Sequence, residues 1–379
     1  MVSGKNILIV SSKSADFGGV EFHVLDLIRV FSRANNVYVL CPRGSLVPRY
    51  EKAGAKVIIK TPSSPYDFSF AIFVKDFCNK NYIHIVHAHE LISAQGLFGA
   101  FLARVKKRVW HVHTPFLQWK HSSFLKSLIK HPVNWLVNFV VANFFATDVI
   151  ALTKEIRKER ITKELVFYKK VWTIPNAIDV KKFKKQPPLS EISKVYKKYS
   201  IPKNKFVIGN LSRTSAEKGQ DTLIKAFNNL YKQNDHDYHL LVAGGGVLQK
   251  EYKEYCNKNF KDSFTITGRF DEEDKNALYH VMDLFVFPSL AEGFGYVLVE
   301  AMASSLNVIS SNLPVLKNVG DEGVMYFKAG SVDDLTEKIN QFLKMPESIK
   351  KENIAENLKK VEDYSLDAFS RNYSAVYEK

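Results

Sequence analysis

The 379 residues, 46% hydrophobic and 25% charged, are too many for one ordinary core and exclude a disordered chain. Three widely separated cysteines, Cys41, Cys78 and Cys256, match no CxxC or metal-ligand spacing, which argues against structural zinc and for a reducing, cytoplasmic compartment. The net charge of +15 is segregated: residues 1–185 hold 29 Lys and Arg against 12 Asp and Glu, and residues 186–379 hold 25 against 27, so the excess lies wholly in the first half and suggests an anionic partner there.

In chain order, MVSGK runs directly into a strand at Ile7–Val10, without the apolar stretch an export signal needs. Further strands are expected at Val37–Cys41, Val57–Lys60, Ile83–Ala88, Val109–His113, Val149–Leu152 and Val171–Pro175. After Gly19, Val20, Val24, Leu27, Ile28 and Phe31 fall on one helical face. The greasiest segment, Trp135 to Leu152, carries Asn138, Asn143 and Asp148, which would be costly in a lipid span. A charged, proline-bearing stretch over 180–205 places a hinge near Lys182–Leu189. The pattern restarts with strands at Phe206–Leu211, Leu240–Ala243, Phe264–Thr267, Leu284–Phe287, Val308–Ser310 and Val324–Phe327. Helices are expected at 217–233, 247–260, 271–282, 296–305 and 333–344, and residues 347–379 read as one or two polar helices. Alternation of this kind gives two α/β units with mostly parallel, doubly wound sheets, whose strand ends form the usual ligand cleft. The boundaries are 1–185, 186–360 and a helical tail at 361–379 that can cross back to the first domain.

The strongest chemical signal is Pro288–Ser289–Leu290–Ala291–Glu292–Gly293–Phe294–Gly295–Tyr296–Val297–Leu298–Val299–Glu300. A strand feeds a glycine-bearing turn and then a helix near Gly295, whose first N–H groups suit a diphosphate. Glu292 on the turn is placed to accept from sugar hydroxyls, and Glu300 inside the helix from those of a ribose. A second element, Gly209 to Gly219, offers Arg213 as a planar fork and Lys218 as a point charge for a departing nucleoside diphosphate. His111 and His113 share one strand face. HxH is also a metal pair, but no further clustered ligand is evident, so no metal is expected. His113 is read as a cleft residue, with a buried, satisfied histidine as the alternative; for His87 and His89 the two readings stand level. Asp235–His236–Asp237 has the form of a metal-holding DxD but lies in a polar connection and is read as a loop.

Glu292 to Glu300 resembles the E-x7-E signature of retaining GT-B glycosyltransferases of family 4. Gly18–Gly19–Val20–Glu21 resembles that family's GG-x-E loop, and Ile174–Pro175–Asn176–Ala177–Ile178–Asp179 its PNGID segment, with Ala177 in place of glycine. Ser212–Arg213 with Glu217–Lys218–Gly219, Gly244–Gly245–Gly246 and Thr267–Gly268–Arg269–Phe270 match further stations in order. The resemblance implies the GT-B fold, two Rossmann-like domains facing across a cleft. It implies a hexosyltransferase acting with retention in cell-surface glycan or glycolipid synthesis, by front-face attack. Arg213 and Lys218 would meet the diphosphate and Glu300 the ribose. Glu292 and the backbone of Phe294, Gly295, Tyr296 and Val297 would hold sugar and phosphates, Gly18 and Gly19 would approach from the opposite side, and His113 would support developing charge or orient the acceptor. The donor is expected to be a UDP-sugar ahead of a GDP-sugar, with no metal cofactor. The rival readings are a GT-B sugar-nucleotide epimerase or hydrolase, and a nucleic-acid-binding protein, for which no motif is present.

The acceptor is expected from charge. Basic clusters at Arg104–Arg108, Lys154–Arg160, Lys169–Lys170 and Lys181–Lys185 flank Phe116, Trp119, Lys120, Phe124, Lys126, Lys130 and Trp135. This suggests a peripheral protein on the anionic inner face of the plasma membrane, with a lipid-linked or glycan acceptor. The alternative is an internal helix over 116–145 with solvated lysines.

Overall fold

The computed structural model describes residues 2–11, 14–16, 18–113, 124–233 and 237–379, the side chains of 124–130 excepted. Asp235 and His236 of the DxD segment, and Phe116, Trp119 and Lys120, lie outside the described residues, as do the side chains of Phe124, Lys126 and Lys130. The chain divides into two compact units, Met1–Ala177 with Leu366–Lys379, and Ile178–Ser365.

The first unit is built on seven strands: β1 (Asn6–Val10), β2 (Asn36–Cys41), β3 (Ala55–Ile59), β4 (Ile85–His89), β5 (Lys107–His111), β6 (Asp148–Ala151) and β7 (Val171–Thr173). They pair in parallel in the order β3-β2-β1-β4-β5-β6-β7. Ile7, Leu8, Ile9 and Val10 are all within 1% of full burial, as expected when helices cover both faces of a parallel sheet. Chain order reverses between β1 and β4, the switch point where ligand loops gather.

The second unit repeats the plan with β8 (Phe206–Leu211), β9 (Tyr238–Ala243), β10 (Phe264–Gly268), β11 (Leu284–Phe287), β12 (Asn307–Ser311) and β13 (Met325–Phe327). All are parallel, in the order β10-β9-β8-β11-β12-β13. Its switch point lies between β8 and β11, so the loops that follow these two strands become neighbours.

Three expectations need correction. The hinge does not fall at 182–189: the Asp179 carboxylate accepts from Lys182 N and caps a helix over Val180–Lys184, whose buried Phe183 packs edge-on to Tyr279 within the second unit. The unit boundary therefore follows Ala177, not Lys185. The tail is not uniformly polar: beyond Glu347–Lys360, the helix Leu366–Glu378 buries Phe369, Tyr373, Val376 and Tyr377 in the core of the first unit. β5 ends at His111, two residues before His113.

Segment 135–152 is a helix through Val140, a wider turn over Val141–Phe145 and β6. Asn138 accepts from Trp110 Nε1 at 3.0 Å and donates to Glu164 at 2.9 Å, and Asn143 donates to Leu165 O at 3.1 Å, so its amides serve packing. Among the described residues no helix is long and apolar enough to cross a membrane. All three cysteines are free and buried.

Candidate functional site

In the second unit, β8 runs into Ser212–Gly219 and β11 into Pro288–Gly295. Gly219 sits at φ +66°, and a Cβ there would come within 2.1 Å of Pro288 O, so only glycine lets these two loops touch. They are stitched: Leu290 N donates to Glu217 O at 2.8 Å, Ser289 Oγ to the same carbonyl at 3.1 Å, and Ser311 Oγ to Ser289 O at 2.6 Å. The stitching brings Lys218 Nζ to 2.5 Å from Glu292 Oε1, which also accepts from Ser289 Oγ at 3.1 Å. These are residues 74 apart in sequence, and both were expected at the donor.

Gly295, at φ +94°, caps the helix Tyr296–Ala303. A Cβ there would meet Leu316 at 2.8 Å, so the tight entry requires glycine. The first N–H groups of such a helix have no acceptor within it and carry the positive end of its dipole. Phe294 is buried against Tyr296 and Tyr364 and fixes the turn. Arg213 stands apart: its side chain is 78% exposed, 3.5 Å from Glu217. Its backbone carbonyl accepts from Gln220 Nε2 at 2.7 Å. The triple glycine lies alongside, since a Cβ on Gly244 would fall 2.0 Å from Ser212 O and one on Gly246 2.4 Å from Thr214 O.

Glu300 is buried within the helix. Its Oε1 pairs with Lys275 Nζ at 2.6 Å and its Oε2 accepts from Tyr279 OH at 2.7 Å. Burial and the Glu300 charge push the Tyr279 hydroxyl well above its ordinary range. Neither Lys275 nor Tyr279 was foreseen; their helical segment was read correctly, but nothing local in sequence ties it to Glu300.

In the first unit, Gly18 caps the helix Gly19–Phe31 and its carbonyl accepts from Phe22 N at 3.0 Å. That helix lowers His23 onto the histidines of β4 and β5, where His89 sits directly beside His111 in register. His111 and His113 stack with centroids 3.9 Å apart, and His89 Nδ1 lies 3.1 Å from His113 Nε2. The expectation that no further ligand joins the HxH pair fails: His23, His89, His111 and His113 each bring a ring nitrogen within 4.8 Å of the others. A strand pair and a distant helix supply them, so spacing could not reveal the group.

The cluster is wrapped by polar partners. Asn176 Oδ1 meets His23 Nδ1 at 2.7 Å, Tyr373 OH lies 3.1 Å from His23 Nε2 and 3.4 Å from His111 Nδ1, and Tyr377 OH meets His87 Nδ1 at 2.8 Å. Burial holds His23 down to about 3 and the other four well below 6.5, so the rings are neutral. Glu90 accepts from His113 N at 3.0 Å, and burial pushes its carboxyl up to about 7.

The amino-terminal half matches the family described as Glycosyltransferase Family 4 over residues 17–182. The carboxy-terminal half matches Glycosyl transferases group 1 over residues 191–361. The alpha-monoglucosyldiacylglycerol synthase of Streptococcus pneumoniae is 27% identical over 361 residues, covering 89% of this chain and 79% of the relative. The phosphatidylinositol N-acetylglucosaminyltransferase GPI3 subunit of Saccharomyces cerevisiae is 23% identical, covering 86% and 72%. The Anabaena Alr3699/HepE structure in complex with UDP superposes with a TM-score of 0.81 at 21% identity, covering 99% of each chain.

Proposed function

Because the chain belongs to the family-4 glycosyltransferases, we propose that it moves a hexose-type sugar from a nucleotide-sugar to a lipid-linked acceptor with retention of configuration. The observation that carries this reading is the stitched pair of loops in the second unit, with Lys218 and Glu292 2.5 Å apart beside the helix start at Gly295. The same loops present Arg213 to solvent, ready for an anion. As the acceptor hydroxyl attacks the anomeric carbon, the bond from that carbon to the phosphate oxygen breaks on the same face. The departing phosphate takes the hydroxyl proton. Arg213, Lys218 and the helix terminus stabilise the charge that develops.

Glu292 is engaged by a lysine and a serine hydroxyl, which suits holding sugar hydroxyls better than attacking carbon. Glu300, oriented by Lys275 and Tyr279, keeps lone pairs for ribose hydroxyls. The positive charge at the diphosphate is assigned to Arg213, Lys218 and the helix start at Gly295. A UDP-sugar is the favoured donor, in keeping with the UDP of the Anabaena structure. Both relatives named above are named for lipid substrates or products.

The lipid acceptor and a peripheral position on the inner face of the plasma membrane find support in the surface of the first unit. Leu136, Phe144, Leu165, Phe167 and Tyr168 are each more than half exposed, and aromatic contacts run from Trp135 through Phe139 and Phe144 to Phe167. Exposed Lys163 and Lys169 belong to the same segment, a mixture suited to an anionic interface. Not every expected cation is available: Arg108 donates to Phe145 O and Val105 O, Lys170 to Asn143 O and Ala146 O, Lys107 pairs with Asp148, and Arg160 with Glu164.

Purified protein incubated with UDP-, GDP- and ADP-sugars should be stabilised by one donor, by about 2.7 kcal/mol at 100 times its dissociation constant. It should then glycosylate acceptor lipid in anionic vesicles. Release of free sugar without transfer would favour a hydrolase, and indifference to anionic vesicles at low salt would remove the membrane.

A further inference from the structure

The histidine cluster of the first unit has chemistry of its own. Five imidazoles are buried together, His23, His87, His89 and His111 at 0% exposure and His113 at 6%. A core would ordinarily spend apolar side chains on that space. Each imidazole carries a ring nitrogen able to bind a metal, and four of the five bring one within 4.8 Å of the others. Among the clustered rings, His111 Nε2 is buried without a hydrogen-bond partner, a cost that a stable interior normally avoids.

We propose that His23, His89, His111 and His113 form a binding site for one zinc ion. The donor set is four imidazole nitrogens, which suits zinc in its preferred tetrahedral arrangement. With Zn–N bonds of about 2.0–2.1 Å, two nitrogens on one tetrahedral ion stand about 3.3 Å apart. His89 Nδ1 and His113 Nε2 stand 3.1 Å apart, and all four donors fall within 4.8 Å, so small rotations of the rings close the set. The surroundings are those of a metal centre. Asn176 Oδ1 holds the His23 ring through Nδ1 at 2.7 Å, and the His23 Nε2 faces the Tyr373 hydroxyl at 3.1 Å, a contact that the ion would replace. Ligand histidines are commonly oriented by a partner of this kind. Tyr373 reaches between His23 and His111. The Glu90 carboxyl borders the cluster, accepting from His113 N at 3.0 Å.

The ligands come from the helix Gly19–Phe31, from β4, from β5 and from the residue two beyond it, while the covering tyrosine comes from the carboxy-terminal helix. An ion here would tie chain segments that are far apart in sequence, and its role is structural. The proposal does not depend on sugar transfer.

The test uses the full chain without an affinity tag, stripped by chelator and then equilibrated with zinc or cobalt(II). One zinc per chain should survive dialysis, cobalt should give the intense visible absorption of a tetrahedral site, and zinc should raise the melting temperature. His89→Gln and His111→Gln should abolish all three effects, whereas His84→Gln and His280→Gln, outside the cluster, should leave them intact. Asn176→Ala removes no ligand and should weaken zinc roughly 10–100-fold. If the cluster variants do not fold, the stoichiometry and cobalt spectrum of the unaltered chain decide. No retained zinc, a weak six-coordinate cobalt spectrum, or binding that persists in His89→Gln would overturn the site. Transfer activity reports on neither outcome: an active chain that binds no zinc sinks this inference alone, and a zinc-binding chain without activity sinks only the transferase reading.

Discussion

Lys275 and Glu300 form an ion pair of 2.6 Å with side chains only 15% and 7% exposed. Tyr279 donates to the other carboxylate oxygen at 2.7 Å. Removing one partner of a buried pair leaves a charge without compensation, which typically costs about 3–5 kcal/mol. Lys275→Met should destabilise the second unit on that scale in denaturant unfolding, and the double variant Lys275→Met/Glu300→Gln should recover part of the loss. Additive losses would show that the two residues do not act together.

The two glutamates of the E-x7-E segment meet different partners, Glu300 with Lys275 and Tyr279, Glu292 with Lys218 and Ser289. Calorimetry should therefore separate them. Glu300→Gln should weaken free nucleotide and nucleotide-sugar alike, whereas Glu292→Gln should weaken the nucleotide-sugar and barely affect the nucleotide. Equal effects of Glu292→Gln on both ligands would place it at the wrong end of the donor.

Arg213 and Lys218 should be equally needed for turnover yet unequal for stability. Loss of one charge-stabilising contact in a transition state costs ~3 kcal/mol, or roughly 10²-fold in rate. Arg213→Ala should show this with an unchanged melting temperature, because its side chain is 78% exposed. Lys218→Ala should also lower the melting temperature, since it strips the half-buried Glu292 of its cation. Wild-type turnover in either variant would refute the assignment.

Much of this was legible because central strands announce themselves. Phe206–Leu211 and Leu284–Phe287 were read to the residue, mostly apolar segments that lie buried at the centre of the sheet. Gly295 was legible too, as a turn glycine that occupies positive φ; Gly219, also at positive φ, was read only as part of the Glu217–Lys218–Gly219 match. What could not be read were contacts made across the sequence. Lys275 is 25 residues from Glu300, and Asn176 is 153 from its partner His23. Tyr373 and Tyr377 sit in a helix that looked polar because its buried face mixes tyrosines and a serine with Phe369 and Val376. Nor could the sequence show which cations of the basic clusters are engaged internally, as Arg108, Lys170 and Arg160 are by carbonyls and a carboxylate.

His239, on β9, is buried, with Nε2 bound to Thr265 Oγ1 at 2.9 Å, and burial pulls it down to about 4. A histidine whose folded value lies below its unfolded 6.5 contributes stability above pH 6.5 that is lost as pH falls toward 4. Over that window the advantage of the wild type over His239→Gln should shrink by about 1.4 kcal/mol per pH unit. A difference in unfolding free energy that stays constant with pH would mean the ring titrates normally.

The central claim is transfer with retention from a nucleotide-sugar, driven by the loops that carry Lys218 and Glu292. The most direct measurement is the anomeric configuration of the first product, followed by nuclear magnetic resonance as the purified chain acts on an α-linked UDP-hexose and an acceptor lipid. The account predicts an α-glycoside appearing in step with UDP release. A β-glycoside as the first product, or free sugar with no glycoside at all, would contradict it.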